Sequence, residues 1–160
     1  MIERHVFAPS GNIPNAALPL LAWRGALPPD ARAITAHFAR HGWLNAWTNG
    51  IFDFHHFHSI AHEALGIARG TAWVRFGGPG GATLVLRAGD ALVIPAGVGH
   101  CRNWASPDLL VVGAYPGGAD YDIRRGAAEE REEVAANLAA VPPPAGDPVT
   151  GAPLPGWPPG

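Results

Sequence analysis

The run Gly50-Ile51-Phe52-Asp53-Phe54-His55-His56-Phe57-His58-Ser59-Ile60-Ala61-His62-Glu63 decides how this chain is read. Phe52, Phe54 and Phe57 suit a strand, and His56 and His58 stand two apart on it. Alternation along a strand puts both imidazoles on one face. Glu63 follows on the next predicted strand, and His100 opens a later one after the turn at Pro95-Ala96-Gly97. Two imidazoles from one strand, a carboxylate from its neighbour and a third imidazole from across a closed sheet can converge on one cation. That is a set of three nitrogens and one oxygen, with room left for water or substrate.

Working outward, the β grammar continues from Trp43 to Gly118. Short apolar runs at Ile51–Ser59, Glu63–Ala68, Thr71–Phe76, Thr83–Arg87, Ala91–Ile94, His100–Trp104 and Leu109–Tyr115 are separated by glycine turns. Seven or eight short strands at regular spacing predict a sandwich or barrel. No helical pattern alternates with them, so a parallel βαβ sheet is disfavoured.

The flanks differ. Residues 1–42 read as an extended arm, broken by Pro9, Gly11, Pro14 and Pro19, followed by a helix over 30–41. The helix rests on the spacing of Ile34, His37, Phe38 and His41, with Gly42 as its C-terminal cap. Residues 119–160 hold a helix over Ala127–Val141 with an acidic face. A tail follows with eight of the 17 prolines, expected to be extended or disordered. The three stretches 1–42, 43–118 and 119–160 are read as one domain overall.

Composition narrows the function. The 21 glycines and 17 prolines among 160 residues leave no place for long helices, while 48% hydrophobic content supports a buried core. All 11 basic residues are Arg, so a lysine Schiff base is excluded. The formal net charge is −2 and no basic run exists, which gives nucleic-acid binding no electrostatic support. Cys101 is the single cysteine, so no internal disulfide is possible. No apolar signal core or membrane-length run is present, and a cytoplasmic protein without membrane attachment is expected.

The spacing within residues 43–118 resembles the cupin superfamily. Gly50, His56, His58, Glu63 and Gly70 match every fixed position of the first cupin motif, G-x5-H-x-H-x3/4-E-x6-G. Gly89, Pro95, Gly97 and His100 match the second, G-x5-P-x-G-x2-H-x3-N, except that Asn103 comes one residue early and Trp104 holds its place. The wider sequence is similar to small bacterial cupins of the YjlB type, which have no assigned reaction. The resemblance implies an all-β fold, a double-stranded antiparallel β-barrel of the jelly-roll kind, here with flanking helices and extended terminal arms. It implies metal ligation by His56, His58, Glu63 and His100, and a homodimer. The terminal arms, with Trp23, Leu154 and Trp157, either wrap a partner subunit or fold back on their own barrel.

Three neutral imidazoles and one carboxylate leave a divalent ion with a net positive charge and up to two open positions. Iron is the first expectation, with Mn, Ni, Zn or Co as alternatives. Such a centre suits a small metabolite that chelates through two oxygens. Oxygenase or dioxygenase chemistry is the leading expectation, ahead of metal-dependent isomerase or lyase chemistry. A non-catalytic module binding a sugar or small acid is the third reading. Phe52 and Phe54 are expected to share the inward face of His56 and His58, with Ala72, Val74 and Phe76 opposite. Arg102 and Trp104 share parity with His100, so Arg102 is a candidate clamp for a substrate carboxylate. Its alternative is an arginine at the barrel rim that reaches solvent or pairs with Asp108. Glu63, Arg102 and Tyr115 are the catalytic candidates, with Asp53 and Trp47 at the mouth. His55 is expected to point out of the barrel, His62 to bond locally or compete as a ligand, and Cys101 to be a small core or interface residue.

Overall fold

Apolar runs cut by glycines become nine strands, and the computed structural model describes the whole chain, Met1–Gly160. They are β1 (Ile2–Phe7), β2 (Ala16–Trp23), β3 (Trp43–Asn49), β4 (Glu63–Arg69), β5 (Thr71–Phe76), β6 (Ala82–Arg87), β7 (Ala91–Ile94), β8 (His100–Ala105) and β9 (Leu110–Pro116). They pair antiparallel in a six-stranded sheet, β1-β2-β7-β4-β9-β3, and a three-stranded sheet, β6-β5-β8. A buried core drawn from both sheets lies between them and includes Leu20, Leu65, Val74, Phe76, Leu86 and Leu92. This is the jelly-roll β fold expected. The inward placement of Ala72, Val74 and Phe76 is as read from the alternation, each being fully buried.

Helix α1 (Ala31–Arg40) covers the outer face of the large sheet. Asp30 caps it by accepting the Ala33 N–H at 2.9 Å. Its buried Ile34 and Phe38 join a second core with Trp43, Ala64, Val93 and Val112. Gly66 on β4 makes this approach possible: a Cβ there would lie 2.6 Å from Ile34 Cγ2. A second helix, α2 (Arg131–Ala140), follows a 3-10 turn at Ala128–Glu130 and buries Val134 against Ile13 and Phe57.

Three segments depart from the sequence reading. Residues expected as an N-terminal arm form β1 and β2, and β2 pairs with β7 inside the large sheet. The prolines that suggested an arm are accommodated by position. Pro19 falls where the β1–β2 register shifts, at a point that asks no ladder N–H of it. The barrel strands therefore run from Ile2 to Pro116 rather than starting at Trp43.

Ile51–Ser59 is not a regular strand but an extended segment joined by isolated bridges. His56 and His100 exchange backbone bonds of 3.1 and 2.9 Å on one edge, and Phe57 and Arg124 exchange two of 2.9 Å on the other. The segment thus fills the place beside β8, and it keeps the alternation that puts His56 and His58 on one side and Phe57 on the other.

The proline-rich tail, expected to be extended or disordered, is docked within the chain. It packs on its own large sheet, where Leu154 and Trp157 enter the outer core. Trp157 Nε1 donates to Pro19 O at 2.9 Å, and Trp43 Nε1 donates to Gly146 O at 3.0 Å. Polar anchors and apolar burial together fix a chain whose prolines have already given up backbone freedom. No helix is long and apolar enough to cross a membrane.

Trp157→Ala is expected to lower unfolding free energy by about 3 kcal/mol in urea denaturation. A loss below about 0.5 kcal/mol, the range of ordinary surface changes, would contradict a docked tail.

Candidate metal centre

Glu63 opens β4 and turns its carboxylate into the barrel, where it is 2% exposed. His100 opens β8 on the facing sheet, and His56 and His58 come from the extended segment beside it; all three are buried. Glu63 Oε2 lies 3.2 Å from His58 Nε2, and Oε1 lies 3.5 Å from His100 Nε2. One ligand atom from each of His58, Glu63 and His100 falls within 4.8 Å of the others. His56 lines the same cavity with its ring 4.0 Å from that of His100, but its ligand atom stands outside that trio.

The imidazoles are oriented from behind. Nδ1 of His56 donates to Phe54 O at 2.8 Å and Nδ1 of His100 to Val98 O at 3.3 Å, while Nδ1 of His58 donates to Asp122 O. A carbonyl only accepts, so each Nδ1 is committed as a donor and Nε2 is left as the ligand atom. Backbone partners on all three histidines fit a metal-ligand set. They supply the fixed tautomer that ligation requires.

Tyr115 on β9 is fully buried, and its hydroxyl is used twice. It donates to Glu63 Oε2 at 2.6 Å and accepts from Trp47 Nε1 at 2.8 Å. Its proton is therefore committed to holding the carboxylate. Asp122 supports His58 from the other side. Its carboxylate accepts from Ser59 N at 2.6 Å, from Arg124 Nε at 2.7 Å and from the Ser59 hydroxyl. The sequence reading missed Asp122, Ser59 and Tyr121, whose ring stacks on Tyr115 at 4.4 Å. No spacing rule links Asp122 to a histidine 64 positions earlier.

Burial disfavours charge at every member of the centre, and the pairings decide which charges persist. Burial opposes the charged form of His58, but the adjacent Glu63 carboxylate outweighs it and raises the pKa to about 9. Glu63 moves the other way: burial would raise it, and His58 and His100 pull it below the usual carboxylate range. His100 is held well below the ordinary imidazole value by burial and by His56, and His56 is lowered mainly by burial. Without metal the centre is thus an imidazolium–carboxylate pair flanked by two neutral imidazoles.

These residues form the floor of a 460 Å³ cavity. Its walls are mixed: Trp47, Ile51, Leu65 and Ile123 stand beside Thr48, Asn49, Asp53 and Arg102. Arg102 takes its expected inward place, but it faces Asp53 at 3.8 Å rather than Asp108. Trp104 does not share that face. A β-bulge between Arg102 and Trp104 flips the parity, so Trp104 pairs with Trp73 outside, 47% exposed. Phe52 lies at the cavity rim, about half exposed, and Phe54 stacks on it beneath the Arg125 guanidinium. His62 lies outside the cavity; its Nδ1 accepts the Ala96 N–H at 2.9 Å and its ring meets Trp157 edge-on. His55 also lies off the cavity, and Cys101 is buried with its thiol pKa raised by burial.

The proton on His58 has a measurable consequence. A cation entering the centre must displace it, because only a neutral imidazole ligates. Zinc titrated into metal-free protein at about pH 7.5 should release about one proton per ion bound, and apparent affinity should rise about tenfold per pH unit until His58 is neutral near pH 9. Paired calorimetry in buffers of different ionisation enthalpy measures this. Release of no proton would contradict the charged pair.

No protein-family model matches the chain. It is 43% identical over 150 residues to the uncharacterised protein YjlB of Bacillus subtilis strain 168, covering 93% of this chain and 90% of that protein. Among solved structures, an acireductone dioxygenase from Bacillus anthracis with cadmium in its active centre aligns with a TM-score of 0.44 at 16% identity, over 64% of this chain and 80% of that one. Vicilin from hazelnut, Corylus avellana, aligns with a TM-score of 0.39 at 16% identity, over 82% and 39%. Likeness at that level says nothing about the reaction. The sequence match covers nearly the whole of both proteins, and the chain belongs to the YjlB family.

Proposed function

We propose that this chain is a metal-dependent enzyme acting on a small metabolite that chelates through two oxygens, with oxygenase chemistry on iron. The observation that carries the reading is the convergence of His58, Glu63 and His100 at the floor of a cavity, with every imidazole Nδ1 already committed to a backbone carbonyl. His56 completes the set, its Nε2 left for the same centre. A divalent ion held by these residues would supply Lewis acidity and, if it is iron, redox chemistry with O₂.

The remaining residues do defined work. Tyr115 and Trp47 hold the Glu63 carboxylate in one orientation. Ile51 and Leu65 give the inner cavity apolar wall, and Tyr121 covers the Tyr115 ring. What favours oxygen chemistry over isomerisation or lysis is that the buried phenol beside the centre is already in use, which leaves Tyr121 as the other phenol on the wall. Those reactions need an acid or base within reach of the substrate. Here the Tyr115 hydroxyl is committed to Glu63, and the side chain of Asp53 is 71% exposed at the mouth. A cavity of this volume takes a single small ligand.

Protein purified without an affinity tag, in the absence of added chelator, is expected to hold close to one iron per chain. An O₂-electrode screen of enediols, β-diketones and 2-hydroxyketones should yield uptake that stops on chelation and returns with Fe(II). Turnover that proceeds equally well without O₂ would overturn the oxygenase reading.

A further inference from the structure

Arg102 is the one arginine on the cavity wall, and it is the one left without work there. Arg24 is bonded to Glu3, Asp90 and Val85 O. Arg124 is bonded to Asp122, Glu130 and Glu133, and Arg75 to the carbonyls of Pro79 and Gly81. The Arg102 guanidinium makes no hydrogen bond within the chain. Its nearest charge is Asp53, 3.8 Å away on a carboxylate whose side chain is 71% exposed. Five donors in a planar fork at a cavity wall match a carboxylate in shape and charge. Asp53 is solvated, so it yields its place without a charge being buried.

The backbone fixes where this fork stands. Arg102 N donates to Phe52 O at 2.9 Å, which ties β8 to the rim of the cavity. Arg102 pairs with Val74, so it shares the inward face of His100, which pairs with Phe76. Same-face neighbours on a strand lie roughly 7 Å apart. The centre itself attracts anions: three imidazoles and one carboxylate leave a divalent ion with net positive charge. Ile51 and Leu65 give the same cavity apolar wall against which a carbon chain can pack.

We propose that Arg102 anchors a carboxylate at the far end of the substrate. The substrate class is then a short-chain acid, with two chelating oxygens at one end, an apolar spacer of a few carbons, and a carboxylate at the other. The assignment rests on the metal reading above and specifies what that centre accepts. Arg102 is a binding residue here, and Glu63 and the histidines are untouched by its replacement.

Two hydroxamates with the same neutral chelating head test it: succinic acid monohydroxamate, and 4-methylpentanohydroxamic acid, in which an isopropyl group replaces the carboxylate. Each is titrated into cobalt(II)-loaded protein and followed by the cobalt d–d absorption, for the natural chain, Arg102→Gln and Arg102→Lys. Cobalt stoichiometry in each protein reports that the centre is intact. In the natural chain the carboxylate-bearing ligand should bind at least tenfold tighter than its apolar twin. Arg102→Gln should bring the ratio to within threefold of unity, chiefly by weakening the carboxylate ligand, and Arg102→Lys should give an intermediate ratio. A ratio below threefold in the natural chain, or one that survives in Arg102→Gln, would overturn the carboxylate anchor while leaving the metal reading standing. Failure of every protein to take up cobalt would overturn both.

Discussion

The structure is organised around a carboxylate almost wholly withdrawn from water. An ionised side chain cannot be buried in a β-barrel unless charge and hydrogen bonds replace its hydration. Glu63 meets that requirement on Oε2, with the His58 imidazolium and the Tyr115 hydroxyl, while Oε1 faces the unprotonated Nε2 of His100 at 3.5 Å, two acceptors that a cation would join. Each of those partners is then constrained in turn. Tyr115 is fixed by Trp47, His58 by Asp122 O, and His100 by Val98 O. Removing one of these supports leaves a buried polar atom unpaired. That is why a single charged atom pair sets the arrangement of so much of the interior.

The same constraint joins the site to the fold. Glu63 and Tyr115 stand on the large sheet, His100 on the small one, and His56 and His58 on the extended segment that runs beside β8. The centre forms only where these elements close on one another. Asp122 adds a further crossing, because the chain after β9 returns over the site, bridges Phe57 through Arg124, and brings Tyr121 to the cavity wall. The candidate centre and the segments that cross it are one piece of construction. A divalent cation bound there would take the place of the proton on His58 and neutralise the buried carboxylate.

Much of this was legible in the sequence, and the limits have physical causes. Strand alternation placed His56 and His58 together, because a period of two is fixed by the backbone itself. Glycine turns marked β4 to β9 because turns with positive φ select glycine, as at Gly70 and Gly89. Alternation failed at Trp104 because a bulge adds one residue to one strand, and no composition rule announces it. Prolines concealed β2 because their cost depends on which N–H groups the ladder needs, which only the register reveals. The docking of Trp157 and the support from Asp122 depend on contacts across 138 and 64 residues, and local pattern carries no information at that range. His62 shows the same limit. It adjoins Glu63 in sequence, yet it lies outside the cavity, where its ring meets Trp157.

The central claim is that one cation sits among these side chains. Anomalous diffraction from crystals of the zinc-loaded protein, collected on both sides of the metal edge, tests it directly. The account predicts a single strong peak about 2.0–2.2 Å from Nε2 of His58, Nε2 of His100 and a Glu63 oxygen, with His56 turned in as the fourth ligand. A fully loaded protein whose metal lies elsewhere, with the His58–Glu63 pair intact, would contradict it.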